Sequence, residues 1–163
     1  MALVYFDSSA LVKLVVEEQG SQLAAELWDA CDSALSSRLA YPEIRAALAA
    51  ATRKHELEAA ELLEAERAWE EFWAATRKVE LTAAVERHAG QLAGRHALRG
   101  ADAVHLASAL ALADDDLVVA VWDRRLQAGV LAAGLQVAPA GPAAGRPTLT
   151  DGAARSRSAL PPG

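Results

Sequence analysis

Four acidic residues, Asp7, Glu43, Asp102 and Asp123, each stand where a strand gives way to a helix or where a helix begins. In an open α/β sheet, ligands bind outside the carboxyl ends of the strands. Val4-Tyr5-Phe6 runs directly into Asp7, and Ser8-Ser9 follow it. Leu117–Val121, then Trp122, runs into Asp123-Arg124-Arg125-Leu126 in the same manner. In a parallel sheet both acids share one edge whatever the strand order. Glu43 lies in the first turn of a helix after the second strand, and Asp102 opens a helix after Leu98-Arg99-Gly100. Oxygen-only carboxylate clusters suit hard divalent cations such as Mg²⁺ or Mn²⁺.

Each acid also has a plainer reading. A strand-end aspartate serves as a helix cap or turn residue, and an acid in a first turn interacts favourably with the helix dipole. Asp102 begins a helix whose Ala103, Val104, Leu106 and Ala107 are apolar, so its carboxylate needs a partner or a metal. His105, three residues on, shares that face and could ligate, but packing or capping is its simpler role. Asp114-Asp115-Asp116 precedes a strand and reads as a solvated turn on the opposite edge. There is no zinc spacing, no GxxxxGK[ST] run and no GxGxxG after a strand. No Ser or Cys nucleophile stands in an elbow.

The elements that must position these acids alternate. Strands are expected at Leu3–Phe6, more weakly at Ser33–Ser37, then at Val79–Leu81, Leu117–Val121 and Leu135–Ala138. Helices are expected from Ser8 or Ser9, which can cap the first, to about Glu17, and from Ser21. Others should open at Tyr41-Pro42-Glu43, run over Glu56–Thr76, follow Thr82, and cover Ala101–Ala113 and Asp123–Ala133. Such alternation implies a parallel sheet. Trp69, Phe72 and Trp73 are most simply core, with a partner surface as the sharper alternative.

The chain of 163 residues is 53% hydrophobic and 5% aromatic. That favours one domain with a core of Leu, Val and Ala. The organisation expected is a domain over residues 1–138 and a Pro/Gly/Ala-rich, disordered tail over 139–163. A single cysteine, Cys31, excludes an intrachain disulfide and fits a reducing cytoplasm. No run is long enough to cross a bilayer, so no membrane partner is expected. The net charge is −6, and the tail holds three arginines against one aspartate, leaving −8 on residues 1–138. Charge alone excludes a general nucleic-acid binder, unless bound metal ions invert the local sign.

Taken together, Phe6-Asp7-Ser8-Ser9-Ala10-Leu11-Val12-Lys13, Glu43, Leu98-Arg99-Gly100-Ala101-Asp102-Ala103-Val104-His105-Leu106-Ala107 and Val121-Trp122-Asp123-Arg124-Arg125-Leu126 resemble the PIN-domain ribonucleases. The likeness is to VapC-type toxins of bacterial toxin–antitoxin pairs and spans residues 3–138. It implies about five short parallel strands in the order 3-2-1-4-5, flanked by helices. It also implies an Mg²⁺- or Mn²⁺-dependent endoribonuclease, with Asp7, Glu43, Asp102 and Asp123 as catalytic metal ligands. RNA is the implied substrate, and a cognate antitoxin and a second copy of the chain are the implied partners. Lys13, Arg38, Arg124 and Arg125 are candidates for RNA backbone contacts. One departure is Val121, where this family often carries Ser or Thr. The other readings are a non-catalytic PIN-like binding domain and a phospho-acceptor signalling domain. The latter wants an aspartate after the third strand and a lysine after the fifth, and this chain offers neither.

Overall fold

The computed structural model describes residues 1–140. Strands β1 (Leu3–Phe6), β2 (Ser33–Ser37), β3 (Arg77–Val79), β4 (Val118–Ala120) and β5 (Gln136–Ala138) form one sheet in the order β3-β2-β1-β4-β5. Every neighbouring pair is parallel. The helices are α1 (Ser8–Val15), α2 (Ser21–Ala30), α3 (Ala40–Arg53), α4 (Ala59–Ala75), α5 (Ala83–His96), α6 (Gly100–Leu110) and α7 (Arg124–Ala132). Among the described residues no helix is long and apolar enough to cross a membrane. The expected tail lies outside the described residues from position 141 onward.

Strand β1 is central and covered on both faces, which is why Leu3–Phe6 is an unbroken apolar run. Its side chains still alternate. Val4 and Phe6 join Ala34 and Ala120 in a core shared with α1, α3 and α4, where Leu11, Ile44, Leu48 and Trp69 are fully buried. Tyr5 joins Leu35 and Val119 on the other face, under α5, α6 and α7. Trp69 is fully buried, and Phe72 and Trp73 pack partly buried in the same core. These aromatics are therefore core, as their simpler reading held.

Strand β2 has little intrinsic strand propensity, yet it forms. Ser36 and Ser37 are fully buried and bonded across the sheet: Ser36 Oγ donates to the Phe6 carbonyl at 2.7 Å, and Ser37 N–H donates to the Tyr5 hydroxyl at 3.1 Å. Hydroxyls that find buried partners cost little. Strand β3 pairs two residues earlier than its apolar content suggests, with Val79 opposite Ser37. It is a half-exposed edge strand, so hydrophobicity marks it poorly. Leu81 is 50% exposed, and Thr82 already caps α5 by accepting from Val85 N–H. Helix α4 starts at Ala59, because Glu58 N–H and the Glu61 side chain bond at 2.8 Å to form its first turn. The Asp114–Asp116 run is a turn ahead of β4, on the edge away from the acids.

Gly20 caps α2 with φ +93°, and a Cβ built there would stand 2.7 Å from Trp122 Nε1. Left-handed backbone costs a residue with a Cβ roughly 1–2 kcal/mol, and the indole must also shift. Gly20→Ala is expected to destabilise the protein by at least about that amount in urea unfolding. It should also change Trp fluorescence in the folded state. Wild-type stability in this variant would contradict the close packing of α2 on the β4–α7 turn.

Candidate active site

Parallel pairing of β1 with β4, Phe6 opposite Ala120, is what brings two remote acids together. The Asp7 N–H continues that ladder by donating to the Ala120 carbonyl at 3.2 Å. Asp7 and Asp123 then follow their strands at the same sheet edge. Both are N-caps: Asp7 accepts from Ala10 N–H at 3.0 Å, and Asp123 from Arg125 and Leu126 N–H at 2.9 and 3.0 Å. The cap of α1 is thus Asp7 itself and neither Ser8 nor Ser9. A carboxylate outcompetes a hydroxyl as acceptor at the positive end of a helix.

The two serines, freed from capping, serve the acids. Ser9 Oγ donates to Asp7 at 2.7 Å and accepts from Trp122 and Asp123 N–H at 2.8 and 3.2 Å. It ties the end of β1 to the turn after β4. Ser8 Oγ donates to Glu43 Oε2. Val121, where a hydroxyl was expected from the family pattern, is fully buried in the core under α5–α7. The hydroxyl that orders this edge is Ser9.

Asp7, Ser8, Ser9, Glu43, Arg99, Ala101, Asp102, His105 and Asp123 line one cleft of about 230 Å³. All four acids proposed from the sequence are present in it. Arg99 lies between two of them. Its Nε donates to Asp102 Oδ2 at 3.1 Å and its Nη2 to Asp123 Oδ2 at 2.8 Å. Asp102 also reaches back to the Arg99 backbone N–H at 3.3 Å, closing the first turn of α6. His105, 3% exposed, donates or accepts through Nε2 to Glu43 Oε2 at 2.7 Å and meets the Tyr5 hydroxyl through Nδ1 at 2.9 Å. Its burial matches the simpler expectation, but its polar atoms face the site. The only trace of this in the sequence is its place one turn after Asp102. Arg99 left a fainter one, an i,i+3 spacing to the same acid.

Of the four cations proposed for RNA contact, two are engaged elsewhere. Arg38 forms a forked pair with Glu80, 2.7 Å at its shortest, and Lys13 pairs with Glu18 at 2.7 Å and with the Gln19 carbonyl at 2.9 Å. Arg124 and Arg125 are exposed and form no ion pair among the described residues.

The donors suit a hard divalent cation, because all four are carboxylates in one cleft. Asp102 and Asp123 already converge on a single positive group, the Arg99 guanidinium. As arranged, no three His, Cys, Asp or Glu side chains among the described residues are gathered tightly enough to hold one ion. The reason is visible: Arg99 occupies the space between Asp102 and Asp123, and His105 and Ser8 draw Glu43 to their side.

The acids differ in electrostatics. Asp7 is 4% exposed, and burial pushes its carboxyl up from 3.8 to about 6, which the bonds from Ser9 and Ala10 offset only in part. Burial also opposes charge on Glu43, but the bonds from His105 and Ser8 prevail and hold it below the usual carboxylate range. Arg99 is held more firmly protonated by Asp102 and Asp123. The Asp7 shift has a definite sign. The folded state binds that proton more tightly than the unfolded chain. Its contribution is therefore fully present below about pH 4 and is lost as pH rises through about 6. The difference is on the order of 3 kcal/mol for about two pH units. Asp7→Asn keeps a good N-cap and removes the charge. In EDTA, the stability advantage of Asp7→Asn over wild type is expected to grow between pH 4 and pH 7. Urea midpoints at the two pH values measure it, and an advantage that stays flat would contradict the buried charge.

The chain matches the PIN domain family model over residues 4–127. It is 72% identical over 140 residues to Ribonuclease VapC45 and to Ribonuclease VapC49 of Mycobacterium tuberculosis, strains CDC 1551 / Oshkosh and H37Rv respectively. Each alignment covers 86% of this chain and 97% of the relative. The fold is similar to the crystal structure of PAE2754 from Pyrobaculum aerophilum, with TM-score 0.60 and 19% identity over 83% of this chain and 90% of that one. It is also similar to VapC20 of M. tuberculosis, a sarcin–ricin loop cleaving toxin, with TM-score 0.60 and 17% identity over 81% and 95% of the two chains. FitAcB from Neisseria gonorrhoeae matches with TM-score 0.59 and 17% identity over 82% and 95%. The sheet order, the four acids at one edge and these matches agree: the chain belongs to the PIN domain family.

Proposed function

We propose that the chain is a divalent-metal-dependent endoribonuclease and the toxin of a toxin–antitoxin pair. The observation that carries this is the convergence of Asp7, Glu43, Asp102 and Asp123, from four separate elements, on one cleft. The support beyond geometry is the 72% identity to two proteins named Ribonuclease VapC, over nearly their whole length. The four acids would hold Mg²⁺ or Mn²⁺. A divalent ion there supplies an activated water and offsets charge on the phosphoryl oxygens.

The chain's own residues divide the remaining work. Asp7 is fixed by its cap bond and by Ser9, so it provides a rigid anchor beside β4. Asp102 and Asp123 are each bonded to Arg99. Asp102 and Asp123 would be among the residues that hold the ion, and Arg99, exposed at the rim beside them, has the forked geometry to bond a phosphate. Arg124 and Arg125 lie next to Asp123 and can contact the RNA backbone. This division also answers the charge problem. A body of net charge −8 repels a polyanion, whereas acids that carry metal present a positive surface to phosphate.

The partners proposed are RNA, a small antitoxin and a second copy of the chain, in the cytoplasm. Leu23 on α2 and Leu63 on α4 are 37% and 59% exposed and provide apolar surface for an interface. The expected outcome of light scattering on the purified chain is a dimer. A strict monomer at high micromolar concentration would remove that part of the proposal.

The test of the activity is cleavage of RNA by purified protein. Cleavage should require Mg²⁺ or Mn²⁺ and stop in EDTA, and tight RNA binding should weaken with it. Asp102→Asn should reduce the rate by about 10²–10³-fold, the scale of losing a charge-stabilising group, while circular dichroism and melting temperature stay near wild type. A wild-type rate in this variant refutes the assignment.

A further inference from the structure

Glu43 is held by a buried side chain, His105, that a second buried side chain, Tyr5, meets from behind. Ser37 N–H on β2 donates to the Tyr5 hydroxyl at 3.1 Å. Tyr5 on β1 meets His105 Nδ1 at 2.9 Å, and His105 Nε2 on α6 meets Glu43 Oε2 on α3 at 2.7 Å. Tyr5 is 0% and His105 3% exposed. Water therefore takes little part, and the donor and acceptor accounting must close within the protein.

With the His105 ring neutral, that accounting gives the chain one direction. An ionised carboxylate only accepts, so Nε2 carries the hydrogen. In the neutral ring Nδ1 is then an acceptor. The Tyr5 oxygen receives the Ser37 hydrogen and turns its own toward Nδ1. We infer that His105 is a positioning residue, which fixes Glu43 for divalent-ion binding as the last donor in a relay running from Ser37 N–H through Tyr5. This rests on reading the cleft as an ion site.

Three features favour positioning over plain packing. A buried tyrosine–histidine pair costs more to desolvate than the Phe and Leu that would fill similar space. The bonds from His105 and Ser8 both fall on Oε2, so Oε1 has no hydrogen-bond partner among the described residues and stays available as a ligand. Finally, α6 carries Asp102 one turn before His105. The relay therefore sets the distance between Glu43 and a second acid through one rigid helix.

The experiment uses the whole chain and Mn²⁺ alone, without RNA. Mn²⁺ affinity is measured by electron paramagnetic resonance for wild type, Tyr5→Phe, His105→Leu and His105→Gln. The glutamine amide can place a donor near the Nε2 position, and leucine cannot. His105→Leu is expected to weaken Mn²⁺ binding by about 10–100-fold, the usual range for a residue that orients a ligand. His105→Gln should recover most of that loss, and Tyr5→Phe should fall between. A purely structural histidine predicts no rescue by glutamine. Independently, ¹⁵N spectra of the metal-free wild-type protein should show the His105 ring protonated on Nε2 and bare on Nδ1. This second arm stands even where a variant fails to fold. Wild-type affinity in His105→Leu, glutamine as poor as leucine, or a hydrogen on Nδ1 overturns the relay alone. A wild-type chain that binds no Mn²⁺ overturns the ion site and the relay with it.

Discussion

Four carboxylates share a small cleft, and mutual repulsion there is the constraint to which the surrounding structure responds. Each acid reaches its place only because something positive or hydrogen-donating is built beside it. Asp7 and Asp123 sit on helix N-termini, whose free N–H groups they accept from. Asp102 and Asp123 share Arg99. Glu43 takes bonds from Ser8 and His105. A parallel sheet makes this possible, because every strand ends on the same edge and every following helix begins there. The same edge thus gathers both the charges and the dipoles that tolerate them.

The compensation is uneven, and the unevenness is informative. Glu43 is comfortable as an anion, whereas Asp7 is not. Asp7 is also the most buried of the four and the one tied most directly to the central strand. A cation bound in the cleft, as proposed above, would relieve Asp7 more than the others. Ion binding and folding stability would then be coupled at that residue. Arg99 acts in the opposite sense, since an ion held by Asp102 and Asp123 would have to compete with its guanidinium. Affinity for such an ion would be a difference between these two effects.

Much of this was legible in the residues. An apolar run ending in an acid is a local pattern, and it marked Asp7 and Asp123. The helix starts marked Glu43 and Asp102. The strand order came from likeness to a family and is the order found. The roles of Ser8, Ser9, Arg99 and His105 in the cleft escaped because each also bonds a partner remote in the chain. Ser9 and Trp122 are 113 positions apart, and Ser8 and His105 are 97 apart. Long-range polar pairs leave no periodic trace. Each of these side chains has an ordinary local explanation, as cap, surface charge or packed ring, that only the fold displaces. The two-residue shift of β3 has the same root. An edge strand owes its position to Ser37 and Val79 pairing across the sheet, not to its own apolar content.

Ser9 also dates the site. Its hydroxyl joins Asp7 to the turn carrying Trp122 and Asp123, so the cleft closes only when β4 has docked beside β1. At translation speeds of about 5–20 residues per second, the interval between those two segments leaving the ribosome is on the order of ten seconds. Through that interval a nascent chain displays Asp7 and Glu43 but lacks Asp123, its half of the Arg99 clamp and the strand that aligns them. The polar frame of the cleft is therefore a property of the finished domain, since no shorter N-terminal stretch contains all of its parts.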